Sequence, residues 1–216
     1  MVPVFDNQGS LTIGDLAISK ADKNILWVGT GENNSSRSSY AGAGIYKSSD
    51  GGETWNFAGL RGSQHIGRIL THPTNPDIAW IASQGPLYSM NDVRGVYKTT
   101  DGGTTWNRTL VPTDSTGVID LVIHPDNPDK LWAATWQRFR QAWNFKENGD
   151  GSGIFVSNDG GKTWQKSMEG FPDNKMVGRV GLDVSQSNPN VVYALLDNQI
   201  ETKTEKEQAE GQADPG

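Results

Sequence analysis

Four charged residues return at equivalent places along the chain with alternating sign: Asp15, Arg68, Asp120 and Arg179. Two readings fit them. In one, Arg68 and Arg179 hold an anion while a carboxylate works as acid or base. Beside arginine, Asp15 and Asp120 stay ionised, which suits a base or nucleophile better than a general acid. In the other, the alternation is a ring of structural ion pairs. Asp120→Asn separates them: a ligand site predicts weaker binding with folding intact, and an ion-pair ring predicts a melting temperature lower by several degrees. Glu32, in "GTGENN", offers a second carboxylate near Asp15, or else is a solvated loop residue. Glycoside hydrolysis needs two carboxylates about 5–5.5 Å apart for retention or 6.5–9.5 Å for inversion. Asp15 with Glu32 is the nearby pair. Asp15 and Asp120 are two repeats apart, too far unless the space between them is narrow.

The segment "WQRFRQAWNFKENGDGS" sets Trp136, Phe139, Trp143 and Phe145 among Arg138 and Arg140. Aromatic faces with guanidinium groups suit sugars, peptides or acidic side chains. Rings packed over the rim of a sheet are the alternative, and Tyr40 and Tyr88 pose the same choice. His65, just before Gly67–Arg68, is a further ligand-binding candidate. His72 and His124 occupy equivalent turns, too far apart to share a metal. The chain has no cysteine, which excludes disulfides and any thiolate ligand or nucleophile. No metal and no cofactor are therefore expected. A net charge of −6 argues against nucleic acid. No apolar run approaches the roughly 18 residues of a membrane span. The start, "MVPVFDNQGS", has neither the basic nor the apolar region of a signal peptide.

These residues are positioned by a repeat. "SSDGGETW", "TTDGGTTW" and "SNDGGKTW" are three versions of one turn. Each follows a Gly-initiated apolar strand: "GIYKSS", "GVYKTT", "GIFVSN". Upstream lie aromatic-centred strands ("ILWVGT", "IAWIAS", "KLWAAT", then "VVYALL") and, before those, "DLAIS", "RILTH", "DLVIH" and "RVGLDV". Turns such as "HPTNPD" and "HPDNPD" join the two, with Pro fixing φ and Asn and Asp bonding their own backbone. Each unit is thus four strands, A to D, and the quoted turn closes the C–D hairpin. Its paired glycines supply positive φ, and its Asp accepts backbone N–H groups. Its Trp is expected to pack against its own unit, a burial worth roughly 1.5–3 kcal/mol.

Four-stranded units at this period indicate an all-β, partial β-propeller of antiparallel blades. The expected layout is a terminal strand of a preceding blade at 1–11, then blades at 12–62, 63–115 and 116–174. The first half of a fourth blade follows at 175–198, and a polar loop or tail at 199–216. Three blades cannot close a ring, so the chain reads as a fragment of a larger propeller. A–B and C–D turns share one face. The long, variable B–C loops share the other with the starts of the A strands, and that is where binding is expected.

The pattern Ser/Thr-x-Asp-x-Gly-x-Thr-Trp resembles the Asp-box, or BNR repeat. All fixed positions match: Ser48, Asp50, Gly52, Thr54, Trp55; Thr99, Asp101, Gly103, Thr105, Trp106; Ser157, Asp159, Gly161, Thr163, Trp164. With its "NPD" turns the unit looks like the bacterial sortilin-type propellers, often labelled glycosyl-hydrolase-like. Sialidases and xyloglucan-cleaving propellers share the motif, so the resemblance speaks to fold more than to activity. It implies a secreted or cell-envelope propeller that binds a peptide, protein or carbohydrate on the long-loop face, together with the remaining blades of its parent. The alternative is a glycoside hydrolase, sialidase- or xyloglucanase-like, completed by those blades. The arginine-bearing motif of sialidases is missing.

Overall fold

The computed structural model describes residues 3–172 and 174–200. The first sheet is β1 (Ile13–Ile18), β2 (Leu26–Thr30), β3 (Ile45–Ser48) and β4 (Asn56–Gly59), antiparallel and in chain order. The second repeats it with β5 (Ile66–Thr71), β6 (Ala79–Ser83), β7 (Gly95–Thr99) and β8 (Asn107–Leu110). In the third, β9 (Thr116–Ile123) and β10 (Leu131–Gln137) are followed by a small ribbon, β11 (Phe139–Arg140) with β12 (Phe145–Lys146). The sheet then resumes with β13 (Gly153–Ser157) and β14 (Gln165–Ser167). β15 (Val177–Val184) pairs with β16 (Val192–Asn198) alone. The inner strands pack in succession, β1 on β5, β5 on β9 and β9 on β15. The chain is a partial β-propeller.

Burial follows from this succession. β9 has a sheet on either side, and Thr116 to Leu121 are buried. β1 reads just as apolar, yet Leu16 and Ile18 are each 55% exposed, because no described element covers its outer side. The strand expected at 1–11 is not formed by residues 3–11, which run as turns and bends. Instead Phe5 sets its edge against Tyr46 and Trp55, with ring centroids 5.3 and 5.1 Å apart. Of the expected polar tail, residues 201–216 lie outside the described residues.

Each C–D hairpin is closed by a local hydrogen-bond set. In the first, Ser48 Oγ donates to Asp50 (2.7 Å) and accepts the Gly52 N–H (2.8 Å). Asp50 also takes the Thr54 N–H (2.9 Å) and hydroxyl (2.5 Å). Thr99, Asp101, Gly103 and Thr105 repeat the arrangement, as do Ser157, Asp159, Gly161 and Thr163. The glycines take positive φ, 75° and 95° at Gly51 and Gly52. Hydrogen bonds from Thr54 and Thr105 hold Asp50 and Asp101 down at about 2.

The tryptophans correct one expectation. Trp106 donates to the Ala58 carbonyl of the preceding sheet (2.7 Å) and meets Trp27 edge-on at 5.8 Å. Trp164 donates back to Thr109 (3.2 Å). These rings pack between blades rather than on their own blade, since the gap between sheets offers two apolar walls and a carbonyl. The contact is returned: Lys47 and Lys98 donate to the Gly102 and Gly160 carbonyls of the next hairpin (2.9 and 2.7 Å). The turns are thus joints between successive blades.

Candidate functional site

At the start of every A strand the register breaks: at Ile13/Asp15, at Ile66/Arg68, beside Asp120 and at Val177/Val180. A bulge re-aims the side chain that follows it. These bulges bring Asp15, Arg68, Asp120 and Arg179 around one cavity of about 170 Å³, which Asn33 also lines. The approach is close. A Cβ on Gly14 would lie 2.2 Å from the Ile66 carbonyl oxygen, and one on Gly67 2.4 Å from that of Ile119. Glycine before the charged residue lets neighbouring blades meet backbone to backbone.

The four residues converge as expected, but they do not alternate as ion pairs. Arg68 Nε pairs with Asp120 at 2.8 Å, and this is the one ion pair among the described residues. Asp120 also accepts the N–H groups of Leu121 and Leu182, both at 2.9 Å. Its two oxygens therefore hold Arg68, its own strand and β15. Asp15 is not paired with arginine; it accepts the Ile69 N–H of the next blade at 2.7 Å. Burial pushes its carboxyl above the usual range, against the pull of that N–H and of Arg68. The expectation that arginine would favour its ionised form is therefore reversed at Asp15. Arg179 turns its guanidinium to the Trp136 ring, 5.6 Å from the centroid.

Glu32 does not complete a carboxylate pair at this cavity, where its neighbour Asn33 stands instead. Glu32 takes part through its carbonyl, which accepts His65 Nδ1–H at 2.7 Å. His65 is buried, and desolvation together with Arg138 and Arg94 lowers its pKa to about 4. Its unfolded value lies near 6.5. Between those values the unfolded chain binds the extra proton, so stability falls as pH drops from 6.5 toward 4. Thermal midpoints are expected to decline from pH 7 to pH 5, and His65→Gln to flatten the slope.

The third loop divides in two. Trp136 and Arg138 are not a ligand platform: both are interior. Trp136 donates to the Glu147 carbonyl (2.7 Å) and packs on Phe145. Arg138 lies over the Trp136 ring at 5.6 Å from its centroid and donates to the Gly85 carbonyl at 3.2 Å. Trp143 is 80% exposed. Arg140 stacks on Phe145 at 3.8 Å and reaches across to the Ser35 carbonyl at 3.2 and 3.1 Å. Its N–H meets the Leu87 carbonyl, and Tyr88 Oη donates to the Arg37 carbonyl at 2.8 Å. The three long loops are therefore bonded to one another. Tyr40, Tyr88 and Trp143 stay exposed on them.

Arg94 and Gln84 escaped the sequence reading. Arg94 is buried and holds the carbonyls of Gln84, Pro86 and Ser89, shaping the second loop from inside. An arginine in a polar loop gives no sign in sequence that it points inward. His72 and His124 cap their turns, accepting the backbone N–H groups of Asn75 and Asn127 (both 3.1 Å). No group of three or more metal donors occurs among the described residues.

Solved structures share this fold at low identity. An ancestral GH74 enzyme matches with TM-score 0.61 and 23% identity over 86% of this chain and 22% of its own. The Niastella koreensis GH74 enzyme matches with TM-score 0.52 and 21% identity over 87% of this chain and 26% of its own. The Xanthomonas campestris GH74 xyloglucanase gives TM-score 0.52 and 16% identity over 82% of this chain and 26% of its own. The chain thus spans about a quarter of the length of each. No curated protein matches it. Residues 43–209 match the family model described as sortilin, neurotensin receptor 3, and with most of its length so matched the chain belongs to the Sortilin-Vps10 family.

Proposed function

We propose that the chain is part of a binding or scaffold propeller, extracellular or in the cell envelope, that recognises a peptide or glycan on its long-loop face. The observation that carries this reading is the bonding of the three long loops into one surface with outward aromatic rings. Arg140 ties the third loop to the first and second, and Tyr88 ties the second to the first. A surface fixed before the ligand arrives loses less entropy on binding. Trp143, largely free of protein contact, supplies a ring face for a sugar or an apolar side chain. No helix among the described residues is long and apolar enough to cross a membrane. Any further blades would enlarge the same face.

Screening the protein on glycan and peptide arrays tests this. Trp143→Ala is expected to weaken the selected ligand about tenfold or more, at an unchanged melting temperature. Unaltered binding would remove the loop face from consideration. A second reading, a glycoside hydrolase completed by further blades, is favoured by Asp15, a half-buried carboxyl with a raised pKa in the same cavity as Asp120. Against it, Asp120 is fully engaged by Arg68 and two backbone groups. Hydrolysis products on the glycan array would favour it over binding.

A further inference from the structure

Beneath the long loops lies a concentration of positive charge in which Asp114 acts on Arg94 and Asp120 on Arg179, but no carboxylate acts on Arg138. Arg138 and Arg94 are each 1% exposed. The charges that act on Arg138 are those of Arg94, Arg179 and Arg140, all cationic. With burial they lower its pKa to about 9, so it remains protonated at neutral pH. Arg138 Nη2 meets the Gly85 carbonyl, but Nε and Nη1 are buried and have no hydrogen-bond partner among the described residues. Gln84, next to that carbonyl and also 1% exposed, has both amide atoms in the same condition. Arg94 Nε is a further buried donor without a partner. His65 also faces this cluster, and being neutral it brings no negative charge.

We propose that Arg138 anchors a buried site for a small inorganic monovalent anion, of halide size, which sets the long loops in place. A buried charge without compensation is strongly unfavourable, and a buried donor without an acceptor adds to the cost. A water molecule could accept from Nε and Nη1, but it would leave the charge of Arg138, on which only cations act, unanswered. An anion answers both. Its size follows from closure: with Arg138 and Gln84 almost wholly covered, a carboxylate on a chain or a sugar sulfate has no path to the donors unless the loops open. The inference rests on the loop-face reading only for its consequence, and its test needs neither peptide nor glycan.

Thermal unfolding of the full chain is followed as sodium chloride or bromide replaces sodium gluconate at constant ionic strength. Gluconate is too large for the site, and a ligand that binds only the folded state raises the midpoint with its concentration. A halide-dependent rise of several degrees is expected, absent in Arg138→Gln. No difference between halide and gluconate, or an equal rise in Arg138→Gln, would overturn the proposal. Should Arg138→Gln fail to fold, crystals of the unaltered protein grown in bromide decide. Anomalous density within hydrogen-bond distance of Arg138 Nε or Nη1 supports the site, and its lack there refutes it. Failure here with retained array binding would leave the loop-face function standing.

Discussion

Trp80→Ala is expected to lower the thermal midpoint by roughly 6–20 °C. Trp80 is 1% exposed at the joint between the second and third sheets. Its Nε1–H donates to the Gly160 carbonyl in the next hairpin at 2.9 Å. His72 stacks on one side with centroids 6.0 Å apart, and Lys98 lies 5.3 Å from the ring centre. The ring also fits the space beside Gly161, where a Cβ would come 2.7 Å from Nε1. Removing a buried tryptophan costs about 3–5 kcal/mol. In a domain of this size each kcal/mol is worth about 2–4 °C. Trp80→Phe, which keeps much of the volume but loses the donor, should fall between. A midpoint within two or three degrees of wild type for Trp80→Ala would mean that this joint does not hold the blades together.

Asp120→Asn should lower the midpoint by roughly 4–12 °C, on a cost of about 2–3 kcal/mol. Asp120 is 7% exposed, and its oxygens receive Arg68 Nε and the N–H groups of Leu121 and Leu182. Asparagine offers one acceptor oxygen and turns an N–H₂ toward the remaining donors, so a buried backbone group loses its partner. Arg68 is 44% exposed at its side chain and keeps water, which places the cost below that of a fully buried pair. Arg68→Gln should therefore cost less than Asp120→Asn. An unchanged melting temperature in Asp120→Asn, together with lost ligand binding, would restore Asp120 as a ligand residue. The geometry favours the structural role because the carboxylate fastens β15 to the third sheet.

The repeat was legible because each hairpin makes its own hydrogen bonds. Ser48, Asp50, Gly52 and Thr54 satisfy one another within a few residues, so spacing in sequence is spacing in space. The convergence of Asp15, Arg68, Asp120 and Arg179 was legible for a related reason. Equivalent positions in a repeat come to equivalent places around one axis. What each of them bonds was not legible. Arg179 and Arg138 flank the buried Trp136, while Trp143, a few residues along the same segment, points outward. In sequence Trp136, Arg138 and Trp143 read as one aromatic and basic run.

The amino-acid order by itself determined the repeated strands and the turns that join them into blades, because those depend on contacts between near neighbours. The tertiary structure decided which charges are paired and which are buried without a counter-charge. Asp120 meets Leu182, Trp80 meets Gly160 and Arg140 meets Ser35 only once separate blades are brought together. Desolvation depends on everything that surrounds a group, and for these residues the surroundings are supplied by distant parts of the chain.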